Sequence, residues 1–290
     1  MVSFPIMQVS SSPARVVVGV VLAATLGIAA ANYFFFSRTE SAIWQLERLS
    51  GGWINANLPM FVVLSAIIVG GLILSWGRHR FSDLGFEKGW VVRLLAYLAG
   101  GWLILQVVAV LAVWLTGGTI ALNPIWSVHG PATVIGFLFA MVFGTAFFED
   151  SIFRGYLLPQ LYLRLGSVFP GHGERTVAAI GCCAAIFSLW HLPTILLNRE
   201  VSAAAVAGAL LYMAVGGIML SLLFLRTGRL SVVIACHTLV NAPTLLVAAP
   251  VSGASLAGLV GVAAIIAGPL LVGQRWSPGL VRPTEAGVGR

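Results

Sequence analysis

Five ionisable side chains lie well inside apolar stretches of this chain: Glu149, Asp150, Arg154, His191 and His237. They fall on three separate segments. Other acids, bases and histidines lie in or beside the polar stretches between apolar runs. A charge in the bilayer core costs at least about 2.5–3.5 kcal/mol, so an ionisable residue there marks a functional site by default. Two carboxylates, two imidazoles and a guanidinium are groups that activate water and steady a developing oxyanion. The set reads as an enzyme site built inside a membrane.

Each segment has its own logic. In Glu149-Asp150-Ser151-Ile152-Phe153-Arg154-Gly155, Asp150 and Arg154 are four apart, share a helix face and can pair. Glu149 stands about 100° round the helix from Asp150 and has no partner in its own turn. It is free to face a cavity as a general base. A purely structural ion cluster is the bland alternative. In Phe187-Ser188-Leu189-Trp190-His191-Leu192-Pro193 the Phe187 ring can pack beside the imidazole one turn on, and Pro193 should loosen the helix after it. A hydrogen-bonded packing histidine is the alternative there. His237 and Asn241 are again four apart, presenting an imidazole and a carboxamide together. That pair suits an oxyanion, or else an interhelical polar clamp.

These residues carry a resemblance. EDSIFRGYLLPQL at 149–161, FSLWHLP at 187–193 and LRTGRLSVVIACHTLVN at 225–241 resemble the three signatures of the CPBP intramembrane endopeptidases. That family comprises the CAAX prenyl protease type II enzymes and the bacteriocin-processing and self-immunity proteins. The resemblance implies an intramembrane endopeptidase in which Glu149 and His191 activate water. His237 and Asn241 would stabilise the oxyanion, with Asp150, Arg154 and Phe187 orienting the site. The family usually has Glu-Glu where this chain has Glu149-Asp150, and Asp is one methylene shorter. No cofactor is favoured. The alternative is Zn²⁺ held by Glu149, His191 and His237, which would consume the base as a ligand. The rival functions are a catalytically inactive scaffold or immunity protein of the same fold, and an ion-coupled transporter.

The elements that must position these groups are membrane helices. Of 290 residues, 59% are apolar and 9% charged, against about 25% charged in a soluble domain. A span needs about 20 mainly apolar residues. Eight runs qualify: 16–36, 58–76, 91–116, 131–163, 176–197, 202–225, 230–248 and 253–273. The expected fold is an all-α, polytopic membrane helix bundle. It forms one transmembrane domain over 1–273 with its signature region at 131–248. The tail, 274–290, reads as cytoplasmic and disordered. Twelve Lys and Arg fall on the face shared by the termini and the even-numbered loops, against Arg38, Arg48 and Arg199 opposite. Cytoplasmic loops collect such residues, so both termini are expected in the cytoplasm.

The basic residues are scattered singly through short loops, which excludes a nucleic-acid surface. Cys182, Cys183 and Cys236 lie within spans and read as reduced packing residues. Expected partners are the lipid bilayer and a membrane-embedded or lipidated peptide substrate. Arg outnumbers Lys 15 to 1, a hint of a bacterial cytoplasmic membrane and a signal, pheromone or bacteriocin-type peptide. At 1.5 Å per residue, Glu149, His191 and His237 come out about 24, 22 and 12 Å from the cytoplasmic helix ends. Counting alone does not make them meet.

Overall fold

The structure is a computed structural model that describes residues 7–198, 202–271 and 281–283. In lipid each backbone N–H and C=O must be satisfied within the protein, so apolar runs of this length become helices. In chain order, strand β1 (Met7–Val9) leads into α1 (Ala14–Phe36), the short α2 (Ala42–Leu49), α3 (Asn57–Trp76) and α4 (Trp90–Leu115). Then come α5 (Gly130–Ser167), α6 (His172–Trp190), α7 (Leu192–Asn198) and α8 (Ala203–Thr227). The helices α9 (Leu230–Asn241) and α10 (Gly253–Leu271) and the strand β2 (Val281–Pro283) complete the series. The tail read as disordered lies outside the described residues, apart from β2.

Among the described residues, six helical segments are long and apolar enough to cross a membrane: α1, α3, α4, α5, α6 with α7, and α8. The protein is an integral, multi-pass membrane protein. The last two of the eight apolar runs are helical as well, but their described apolar helices, Leu230–Asn241 and Gly253–Ala263, are shorter. The 12 residues of α9 rise only about 18 Å, against about 30 Å of hydrocarbon. The helix stops short of the run read at 230–248 because Pro243 has no N–H and forces Ala242 out of helical geometry (φ −135°, ψ 69°).

Two features of the motif helix α5 shape the site, the second of them shared with α1 and α3. Its 38 residues rise about 57 Å, far beyond the bilayer core. It also widens to i→i+5 turns at Met141–Ala146 and Ser151–Leu157, on either side of Phe147–Asp150. Wide turns interrupt helices frequently at functional sites, and here they reset which residues face inward around the two acids. Neighbouring helices pack on this core: α6 lies against α8, and α9 against α4 and α10.

Two faces can be told apart by their loop contacts. On one, β1 pairs in parallel with β2. Ser12 N–H donates to Gln160 Oε1 at 2.8 Å, and the Arg164 guanidinium donates to the Ser12 carbonyl. His79 Nε2 meets Ser12 Oγ at 2.7 Å. Burial pushes the His79 imidazole below its ordinary pKa, against the opposing pull of Asp83, so it is neutral at pH 7. Gly85 takes a left-handed turn (φ +91°) under Phe224, and its carbonyl accepts from Leu230 N–H at 3.0 Å. On the opposite face Asn123 N–H donates to the Leu246 carbonyl at 2.8 Å, and Trp126 Nε1–H to the Leu245 carbonyl at 2.8 Å. The Glu47 carboxylate there accepts from Ala56 N–H at 2.8 Å.

Gly136 is the tightest approach to α5. A Cβ there would stand 2.1 Å from the Gly52 carbonyl oxygen and 2.8 Å from that of Trp53. Gly136→Ala should therefore lower thermal stability in detergent by about 1–3 kcal/mol, the usual cost of overpacking. Gly181→Ala, whose Cβ meets nothing within 4 Å, should not. Equal melting of the two variants would show that the loop at Gly52 does not rest on α5.

Candidate active site

Glu149 and Asp150 sit side by side on α5 between its two wide turns, and both are buried (4% and 0% exposed). The two acids do different things. Asp150 Oδ1 lies 3.1 Å from Arg154 Nη1, and Asp150 Oδ2 accepts from His237 Nδ1–H at 3.0 Å. Arg154 is itself 1% exposed, with its guanidinium carbon 4.2 Å from the centroid of the Phe187 ring. One carboxylate thus ties together its own helix and α9. Phe187 on α6 supplies the aromatic face that closes the cluster, a favourable seat for a guanidinium.

Glu149 has no such grip. Its Oε1 lies 3.9 Å from His191 Nε2 and its Oε2 lies 3.7 Å from His237 Nε2. Both distances exceed a hydrogen bond, and a water seated beside such a gap can reach both groups. The rings are held by their other nitrogens. His191 Nδ1–H donates to the Phe187 carbonyl at 2.8 Å, and His237 Nδ1–H to Asp150. These bonds turn each Nε2 toward Glu149.

The local fold explains where His191 points. α6 ends at Trp190, His191 forms the turn, and α7 begins at Leu192 with Pro193 in its first turn. Proline is tolerated there because the N–H it lacks would be unpaired anyway. Phe187 and Trp190 flank the imidazole edge-on at 4.6 and 4.9 Å between ring centroids.

A cavity of about 1250 Å³ joins these groups and is lined by Glu149, Phe187, His191, His237 and Asn241. Asn241 is the last residue of α9 and exposed. Asp150 and Arg154 stand outside the lining, beneath it. Among the described residues, no group of three or more His, Cys, Asp or Glu side chains is arranged to hold a metal ion. The three cysteines are free; Cys183 Sγ–H donates to the Phe153 carbonyl at 3.2 Å, and Cys236 lines the cavity.

Residues 130–243 match the family model described as type II CAAX prenyl endopeptidase Rce1-like. That match bears out the family recognised from the three motifs. It covers the stretch in which Glu149, His191 and His237 converge. Rce1-like proteins are generally proteases, hydrolases of peptide bonds, and the family points to CAAX-type intramembrane proteolysis. No curated protein and no solved structure matches the chain.

Sequence reasoning missed two features of this site. Asp150 was read as a partner for Arg154 alone, and its bond to His237, 87 positions away, has no local signal. Thr145 and Met141 lie within the apolar run 131–163, where residue type alone does not single them out. Yet Phe137, Met141, Thr145 and Glu149 all line the cavity at four-residue spacing. That periodicity was the available clue.

Removing either partner of the Asp150–Arg154 pair leaves a bare buried charge. Asp150→Ala and Arg154→Ala should each cost about 3–5 kcal/mol, seen as lowered thermal unfolding in detergent. The double variant should cost less than the sum of the two. Wild-type melting of both single variants would contradict the pairing.

Proposed function

We propose that this Rce1-like membrane protein is an intramembrane endopeptidase. It cleaves a membrane-bound or membrane-proximal peptide with water activated by Glu149 and His191. The observation that carries the reading is the place of Glu149. It is the one acid of the pair left without a close partner, and its two oxygens face separate imidazole Nε2 atoms at 3.9 and 3.7 Å.

In the proposed mechanism Glu149 takes a proton from water while His191 orients that water. The hydroxide adds to the scissile carbonyl carbon, and negative charge develops on the carbonyl oxygen. His237 and Asn241, which line the same cavity, stabilise that oxyanion. Collapse breaks the C–N bond, and the protonated Glu149 returns its proton to the leaving amine. Asp150 acts through His237, fixing its tautomer and orientation, with Arg154 and Phe187 holding Asp150 in turn. The replacement of the usual second Glu by Asp150 is accommodated because Asp150 still reaches both Arg154 and His237. No serine or cysteine acts as nucleophile, and no acyl-enzyme forms.

A metal-free reaction is part of this proposal. The site already holds a base and an oxyanion pair, and a zinc site would use Glu149, His191 and His237 as ligands and leave no base. Both termini in the cytoplasm, eight crossings and a bacterial cytoplasmic membrane complete the reading, supported by the distribution of Lys and Arg.

Glu149→Gln should lower cleavage by about 10²–10⁴-fold, the usual cost of losing a general base, while expression and membrane insertion stay near wild type. A Gln variant keeping more than about a tenth of wild-type activity would remove Glu149 as the base. Activity should also survive exhaustive chelation. One zinc per chain by elemental analysis, with activity lost on removal and restored on return, would overturn the metal-free mechanism. The measurement in both cases is cleavage of a candidate membrane peptide by the pure protein, read by mass spectrometry.

A further inference from the structure

The cavity takes one buried polar group from outside residues 130–243, the stretch matched to the family. Asn32 stands on α1, where that helix widens to i→i+5 turns at Asn32–Phe36, and is only 2% exposed. A carboxamide buried in a membrane helix needs protein partners, because lipid offers none. Asn32 Nδ2 donates one hydrogen to the Ile28 carbonyl at 2.8 Å and the other to Thr194 Oγ1 of α7 at 3.0 Å. Ile28, Asn32 and Phe36 line the cavity at four-residue spacing, and Thr194 lines it with them.

Thr194 sits in the turn that carries His191. α6 ends at Trp190, and His191 opens the first turn of α7, its carbonyl accepting from Ile195 N–H at 3.0 Å. Pro193 has no N–H to add to that turn. With 7 residues, α7 is too short to hold its own place. It packs on the Asn32–Phe36 turns of α1, and on α6 and α8. α1 in turn lies close on α3, since a Cβ on Gly27 would stand 2.9 Å from Leu64 Cδ2. The bond from His191 Nδ1 to the Phe187 carbonyl fixes the ring against α6. The backbone from which the ring departs is set by α7.

We propose that Asn32 is a positioning residue for His191, acting through Thr194. The Asn32–Thr194 bond ties the first turn of α7 to α1, and so sets where the imidazole meets Glu149, whose Oε1 lies 3.9 Å from His191 Nε2. Its effect on cleavage rests on the protease reading; the placement of His191 has a spectroscopic signature that needs no turnover. The competing account is an interhelical polar clamp that adds stability alone.

NMR of the full chain in detergent, with only its histidines isotope-labelled and in alkaline buffer, tests this. The His191 and His237 ring signals are assigned by their loss in His191→Gln and His237→Gln. In the wild type His191 should be a single Nδ1–H tautomer, as its bond to Phe187 requires. Asn32→Leu and Thr194→Val should shift the His191 signals and add the Nε2–H tautomer, while those of His237 stay in place. Thr194→Ser, which keeps the hydroxyl, should return His191 to the wild-type pattern. Where Asn32→Leu does not accumulate, Thr194→Val, which keeps the side-chain shape, decides alone. In the cleavage assay Thr194→Val should lower kcat by about 10–100-fold with little change in KM, because a misplacement of about 1 Å can cost that much. His191 signals unchanged in Thr194→Val, whatever happens to melting, would reduce Asn32 to a stability clamp and overturn the proposal. So would a Thr194→Ser pattern equal to that of Thr194→Val. The expected spectra from a wild-type chain that cleaves nothing would support the placement of His191 and count against the protease reading alone.

Discussion

The structure turns on one buried carboxylate. Asp150 has no exposed surface and holds both the Arg154 guanidinium and His237 Nδ1. An arginine this deep in an apolar bundle is tolerable only with its charge compensated. Asp150 supplies that compensation from the next turn of the same helix, and the Phe187 ring covers the guanidinium from α6. Because the other oxygen of Asp150 grips His237, the device that makes Arg154 tolerable also docks α9 against α5. The ion cluster is at once structural and positional.

That arrangement releases Glu149. Two adjacent acids in a low-dielectric site would repel if both were bare. Here one is neutralised by Arg154, while the other turns into a cavity between two imidazoles. The division follows from helix geometry: residues one apart point about 100° from each other, so Arg154 pairs with Asp150 alone while His237 lies between the two acids, one ring nitrogen toward each. His191 reaches the same cavity because α6 ends at Trp190 and the chain turns there before Pro193. Had α6 continued, the imidazole would have stayed on the helix surface.

The wide turns of α5 and the brevity of α9 resolve the mismatch in depth. Counted along regular helices, His237 lay about 12 Å from its cytoplasmic end and Glu149 about 24 Å from its own. In the fold α5 is longer than a bilayer crossing and α9 shorter, so counts from helix ends do not report a common depth. Tyr212 and Val215 of α8, both exposed, also line the cavity.

The sequence by itself determined the membrane class, the eight apolar runs and the identity of the ionisable residues. A charge in lipid is too costly to occur without cause, and helical spacing marks which residues share a turn. The family, too, was legible, because its motifs are local: Glu149 to Arg154, Phe187 to His191, His237 to Asn241. What only the tertiary structure decided is everything that joins those motifs. The Asp150–His237 bond, the 3.7–3.9 Å approach of two imidazoles to Glu149 and the Ser12 contacts with Gln160 and Arg164 link residues far apart in sequence. Their geometry depends on helix crossings and wide turns, which periodicity does not encode. The helix ends at Trp190 and Asn241 lie between these extremes: Pro193 announced the first, whereas the run 230–248 reads straight through Pro243 and the structure ends that helix at Asn241.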